Sequence, residues 1–588
     1  MHSTTKSLFA AGAVTLALAT GAFAQAFAPF TPIDSNANAI THLIPSSPLQ
    51  SAILLRGYVD TATNTAGLKA LAKDWNDFTG YIPINGRSDS GYVIVNNEQN
   101  ARDSVHGDGG GMTVFTAQFK NNTWTVANHP NGKHRSVNFG PVGGTIANCG
   151  GMETPWGTVL TAEEWNQGSN ASMYNSGNGF RDTSDWNVGQ FNGAPLNRTI
   201  KRHQNMNWMV EVNPATAQVV KKHYNMGRFD HEGGTAMADG KTVYLTDDAT
   251  PGVFFKFVSD TVGNYNKGKL YAYQQSANGQ TGTWLEMPMD LDTMMNARAV
   301  AIRRGATLFT RLEWSEHVDG KIYIAETGND NSGTAHRNAM RNGGKLALHL
   351  AARMNTTDSS IVDYYGRVLR FDIATNKMDV LIEGGAGTGG NTNHLASPDG
   401  ITAVQLNGKK YLVIQEDLIG TSQGRVPPSA AAANRVLCEV YWLDLSIQNP
   451  TVNDLKRMLI GANGSEVTGA RFTPDGKTMF VNIQHPSSTL AAPYNTSYTI
   501  AVWGYAGETT NLFEDPKFDH KSGKLQMQVN PLSRFAFFSE AVDVELYNAA
   551  GKRLERHKNI RQMDVAHLNA GQYYVRLNGR DTHKLVMQ

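Results

Sequence analysis

Residues 466–486 read EVTGARFTPDGKTMFVNIQHP: a turn at Pro474-Asp475-Gly476, then an apolar run that ends in Gln484 and His485. D-G suits hairpin turns that need positive φ, so this stretch predicts a hairpin feeding a strand. The phrase recurs. Asp239-Gly240-Lys241 precedes VYLTDD, Asp319-Gly320-Lys321 precedes IYIAET, and a looser copy, Gly408-Lys409-Lys410, precedes YLVIQED. These copies lie roughly 70–90 residues apart, more than the about 40–45 of a propeller blade, which implies alternate blades or blades with large insertions. D-G hairpins also build β-sandwiches, so repetition alone leaves that alternative open. The acids favour the propeller. Asp247/Asp248, Glu326, Glu416/Asp417 and Gln484/His485 stand at the ends of the repeated strands, and in a propeller such ends gather at one mouth of the central channel. The expected fold is all-β: a β-propeller of six blades with insertions over 25–507, then a small β-sandwich over 508–588.

Composition agrees with many short strands. Charged residues make up 18% of the 588, and there are 58 glycines, as in a turn-rich chain and unlike a helical bundle. The formal net charge is +1 with no long Lys/Arg run, so the footprint of a nucleic-acid binder is missing. A monomer acting on a small molecule is expected.

At the start, Lys6, the small apolar run Ser7–Ala19 and Ala22-Phe23-Ala24 form a signal-peptide pattern over 1–24, with cleavage before Gln25. Nothing later approaches 18 uninterrupted apolar residues, so no membrane span is expected. Two cysteines, Cys149 and Cys438, cannot organise an exported chain of this size by disulfides. They pair with each other, or at least one is buried or does chemistry. Beyond about Gly507, the stretches 524–530, 542–547 and 572–577 alternate apolar and polar with period two, as half-buried strands do.

Carboxylates inside Gly- or Pro-punctuated turns are the candidates for hard-metal chemistry, which needs several oxygens on a rigid frame. Glu163 and Glu164 close TAEE, Glu232 lies in GRFDHEG, Glu313 in TRLEW and Asp399 in ASPDG. Glu163 and Glu164 are neighbours, so on a strand only one faces the metals; Glu164 is preferred. Asp399 also makes good turn chemistry, Arg311 taken alone reads as a surface charge, and His231 and His485 are as readily structural.

Taken in order, NCGG (148–151) with TPWGT and TAEE, then GRFDHEG, FKFV, TRLEW, SPDG and EVTGARFTPDGKTMFVNIQHP resemble the successive signatures of PhoX-type alkaline phosphatases over about 143–486. The resemblance implies a mixed iron and calcium cluster in a propeller channel, and hydrolysis of phosphate monoesters by a metal-activated bridging oxygen nucleophile. It implies Cys149 as thiolate ligand to iron, Glu232 and Glu313 as shared carboxylate ligands, and Glu164 and Asp399 as calcium ligands. Arg311 would clamp phosphate, with Asn148 as second donor. PhoX-type leaders commonly carry a twin arginine, which this one lacks. The end of the chain, with VELYNAAGKRL and LNAGQYYVRLNG, resembles the C-terminal sorting domain of type IX secretion, implying a secreted or cell-surface protein that meets the secretion machinery; an Ig-like accessory domain is the plain alternative.

Other motifs fail on context. Gly420–Gly424 fits G-x-S-x-G, but RVPP follows where a helix should. His231-Glu232 lacks the second histidine of a zinc protease helix. Two rival functions remain: a calcium propeller acting on diesters, phosphotriesters or lactones, and a non-catalytic binding propeller.

Overall fold

A computed structural model of the protein describes residues 29–34, 41–46, 48–329, 332–417, 437–506, 527–530, 535–565, 568 and 571–587. The expected leader (1–24), its cleavage point, the Gly420–Gly424 motif and the boundary at 507/508 lie outside these residues.

The described chain is all-β; its longest helices, Ala297–Arg303 and Ala335–Arg341, have seven residues. Six sheets of four to seven strands succeed one another between residues 50 and 503. Counted outward from the axis, their first strands are Asn76–Pro83, Asn148–Glu153, His231–Ala236, Leu312–Val318, Pro398–Leu406 and Glu466–Phe472. Each touches the first strand of the next sheet, and the sixth touches the first, so the inner strands form a closed ring. This is a β-propeller-like arrangement. The N-terminal strand Gln50–Arg56 completes the sixth sheet by pairing antiparallel with Tyr498–Trp503, which ties the two ends of the ring together.

Each D-G or N-G turn joins the first strand of a sheet to the second, in the third, fourth, fifth and sixth sheets. Positive φ is found where expected, at Asp319 and Gly320 (50° and 74°) and at Asn407 and Gly408 (52° and 74°). The copies therefore mark consecutive sheets, and insertions stretch their spacing. One insertion holds the helix Asn170–Tyr174 and the hairpin Trp186–Ile200 between two strands of the second sheet.

Crowding at the axis explains the glycines beside the acids. A Cβ on Gly150 would stand 1.7 Å from the Glu232 carbonyl oxygen, and one on Gly469 would stand 2.2 Å from that of Asp77. Neither position tolerates a side chain, because the inner strands of neighbouring sheets meet there.

Beyond the ring, Met527–Asn530, Phe535–Asn548, Arg553–Asp564, Gly571–Leu577 and Asp581–Met587 form one antiparallel hydrogen-bonded network. Val542, Val544 and Leu546 are buried, as are Val575 and Leu577, so the stretches 542–547 and 572–577 lie on strands with one face inward, while 524–526 of the first stretch lie outside the described residues.

Candidate metal centre

One local design, repeated in the sheets, builds the site. A left-handed residue stands two positions before a side chain at the start of the first strand: Trp75 before Asp77, Ala147 before Cys149, Arg311 before Glu313, Ser397 before Asp399 and Gly464 before Glu466. Only the third sheet, with Asp230 before Glu232, departs from this. The carbonyl at that position accepts a backbone N–H from the second strand or from the residue just past its end: Trp75 accepts from Glu98, Ala147 from Glu164, Asp230 from Asp248, Arg311 from Thr327 and Ser397 from Asp417, at 2.9–3.0 Å. The pairing between first and second strands slips at the same end in every sheet. Each sheet thus presents two side chains together: Asp77 with Glu98, Cys149 with Glu164, Glu232 with Asp248, Glu313 with Thr327, Asp399 with Asp417, and Glu466 with His485.

The result is a cup of nine carboxylates and one thiol in five overlapping groups. They are Asp77/Cys149/Glu232, Glu98/Cys149/Glu164, Glu164/Glu232/Asp248, Glu232/Glu313/Asp399 and Asp399/Asp417/Glu466, with ligand atoms in each group within 4.8 Å of one another. Glu232 belongs to three groups, and its Oε1 accepts from Cys149 Sγ at 2.8 Å and from Trp314 Nε1 at 3.1 Å. Below the acids, Phe78 of the first sheet meets Trp314 of the fourth with ring centroids 5.5 Å apart. Further down, Arg471 of the sixth sheet pairs with Glu153 and Glu316 of the second and fourth. The channel is therefore filled beneath the acids, while Glu98, Glu164 and Asp248 among them stay partly exposed.

Burial first, and then the charge of neighbouring acids, pushes the carboxyls of Glu164, Glu232, Asp399 and Glu466 well above their usual range. The same causes move Asp77 up to about 6 and Glu98 to about 8, and raise the Cys149 thiol as well. So many acids in one dry cup repel unless protons or cations balance them. Among the described residues, Arg311 brings a cation into the cup. Its Nε and Nη2 donate to the two oxygens of Asp248 at 2.7 and 2.9 Å, and Nη2 also lies 2.9 Å from Glu313 Oε1. Its Nη1 is buried with no hydrogen-bond partner.

Cys149, Glu164, Glu232, Glu313, Asp399 and Arg311, all expected from the sequence, are brought together. Asn148 is not. It neighbours Cys149 on an extended strand and so points to the other face, where its Nδ2 donates to Thr161 at 3.0 Å. Cys149 and Cys438 are not joined, and Cys438 lies in an apolar core with Val440 and Ile483. Of the expected mouth clusters Asp247/Asp248, Glu326, Glu416/Asp417 and Gln484/His485, each pair sends its second member to the cup acids and Gln484 Nε2 itself donates to Glu98 at 3.1 Å, so Glu326 is the one that needs correction. Asp247, Glu326 and Glu416 turn away and accept the backbone N–H of Val253, Thr310 and Ala396, while the next residue in the first and third cases faces the cup. Asp77, Glu98 and Glu466 were not expected; their signal was position on the repeat rather than local sequence.

Glu163 shows how the bracing works. It accepts from Ile146 N and Trp208 N and pairs with Lys222 Nζ at 2.9 Å, both side chains being buried. Removing one partner of such a pair leaves a charge in a dry site. Lys222→Met is therefore expected to lower unfolding stability by about 3–5 kcal/mol in a urea titration; a loss below about 1 kcal/mol would contradict this account.

The family description "Alkaline phosphatase PhoX" matches residues 60–487. The chain belongs to the PhoX family of alkaline phosphatases. Pseudomonas fluorescens PhoX, solved with vanadate as a transition state analogue, shares the fold: 21% identity and a TM-score of 0.57, over 82% of this chain and 99% of that one. Trypanosoma rangeli sialidase (10% identity, TM-score 0.32, 78% and 60% of the two chains) and phage phi92 endosialidase (7%, 0.35, 92% and 87%) share too little of the trace to bear on function. No curated protein matches the chain. Residues 521–588 of this PhoX-family chain match a secretion system C-terminal sorting domain, which marks it for type IX secretion or cell-surface attachment. No helix among the described residues is long and apolar enough to cross a membrane.

Proposed function

We propose that this PhoX-family phosphatase hydrolyses phosphate monoesters with cations held in the acid cup, at the mouth of a six-bladed propeller that is followed by a sorting domain of β-sandwich form. The carrying observation is that, among the described residues, six sheets deliver nine carboxylates and a thiol around the guanidinium of Arg311.

The donor set fits two kinds of metal. Two groups share Cys149, whose thiolate suits iron, with Asp77, Glu232, Glu98 and Glu164 as companions. Three groups offer only oxygen, which suits calcium, and Asp399 Oδ1 is buried there without a hydrogen-bond partner. Glu232 and Glu313 would be shared ligands, and Glu164, Asp399, Asp417 and Glu466 would serve calcium. When bound, such cations neutralise phosphoryl charge and acidify water near them.

Arg311 holds the substrate. Asp248 fixes the guanidinium plane through two hydrogen bonds, which leaves Nη1 to donate to a phosphate oxygen. That anchoring removes the rotamer freedom a flexible cation would lose on binding. Asn148 keeps its amide on Thr161 and positions the strand that carries Cys149. A lysine cannot span Asp248 and phosphate together, so Arg311→Lys is expected to lower kcat/KM for phosphomonoesters roughly a hundredfold, mostly through KM. An unchanged KM would remove Arg311 from phosphate binding.

Elemental analysis of the secreted protein, with parallel assays on a chromogenic monoester, a diester and a lactone, tests the reading. Iron with calcium and a preference for the monoester supports it. Calcium alone with lactone or diester turnover, or no turnover of any substrate, overturns it.

A further inference from the structure

The rim of the cup is chemically lopsided. Trp75 occupies in the first sheet the repeat position that Arg311 occupies in the fourth: each is left-handed, with φ of 58° and 57°, and each stands two residues before a cup acid. Three residues further on, Phe78 and Trp314 touch across the axis. Trp75 and Arg311 therefore crown opposite sides of the same cup. The position carries Ala147, Ser397 and Gly464 in three other sheets, so a large flat side chain is a feature of the first sheet and not of the repeat.

Trp75 does not stand alone. Its ring lies 5.9 Å from Trp165, edge-on, and 5.1 Å from His485. Both neighbours are tied to cup acids: Trp165 Nε1 donates to Glu98 Oε1 at 2.8 Å, and His485 Nε2 lies 3.5 Å from Glu466 Oε2. Trp75 nonetheless keeps 36% of its surface exposed. An indole held on two sides and open on a third is a stacking platform.

We propose that Trp75, supported by Trp165 and His485, stacks the leaving group of phosphomonoesters that carry a planar aromatic ring, and so sets a preference for nucleoside monophosphates and aryl phosphates over alkyl phosphates. This rests on the phosphomonoesterase reading above. A substrate with phosphate at one end and a flat ring at the other matches a rim with a guanidinium on one side and an aromatic ledge on the other.

Adenosine 5′-monophosphate, phenyl phosphate and glycerol 3-phosphate would be compared as substrates of the full-length secreted protein. In Trp75→Ala the ratio of kcat/KM for the two aromatic substrates over glycerol 3-phosphate is expected to fall about tenfold, and in Trp75→Phe to recover most of the loss. Trp75→Leu keeps apolar bulk without the ring face and should lose the ratio like alanine, which decides the matter should the alanine variant fold poorly. An unchanged ratio in the alanine or leucine variant overturns the ledge while leaving the phosphatase reading intact. No turnover of any of the three by the unaltered, metal-loaded protein would instead remove the reading on which it rests.

Discussion

Glu232→Ala is expected to cost roughly a thousandfold in phosphomonoester turnover and to release metal from more than one position. Glu232 is the one carboxylate common to three of the five ligand groups, and with Glu164 it links the thiol side of the cup to its oxygen-only side. A residue on one group would loosen one cation; this residue loosens the frame. The variant should still fold, because deleting a carboxylate from an overcrowded, buried acid cluster removes repulsion. Without metal it should therefore melt no lower than the metal-free native protein. Elemental analysis and monoester kinetics on the same sample check both halves, and full metal content with native turnover in Glu232→Ala would contradict the shared-ligand assignment.

Stripping the cations with a chelator should lower the melting temperature at pH 8 on the order of 10 °C, and by much less at pH 5. The sign follows from the carboxyls. In the metal-free fold Asp77 titrates at about 6 and Glu98 at about 8, whereas in the unfolded chain both return to about 4. The folded form then holds more protons across that window, so its stability is full below about pH 4 and is lost as pH rises through 6 and then 8. Bound cations replace those protons, so their stabilising effect is largest where the protons would otherwise have left. Equal melting temperatures with and without chelator at pH 8 would mean that the cup holds no cation.

The sequence showed part of this site clearly. Acids or a thiol flanked by glycine stand out, as at Cys149-Gly150, Glu232-Gly233 and Asp399-Gly400, and at Gly150 the inner strands approach too closely for a Cβ. Asp77 and Glu98 sit in WNDF and NNEQN, with no glycine beside them and ahead of the recognisable phrases. Glu466 lies inside the repeated phrase itself, yet its neighbours are Ser465 and Val467. The left-handed position that aims each of these side chains is filled by Trp75, Ala147, Arg311, Ser397 or Gly464, which share no chemistry that a reader of sequence could follow.

The sequence by itself determined the hairpins, the all-β class, the membership of a phosphatase family and the sorting tail, because turns and alternation are written in residues near one another. Only the tertiary structure decided that Asp248 rather than Asp247 serves the cup, and it alone gives the reason that Glu164 rather than Glu163 does. A strand sends neighbours to opposite faces, and a one-residue slip in pairing exchanges them. That slip is fixed by contacts between sheets and by a ring closed between Gln50–Arg56 and Tyr498–Trp503, far beyond the reach of any local pattern.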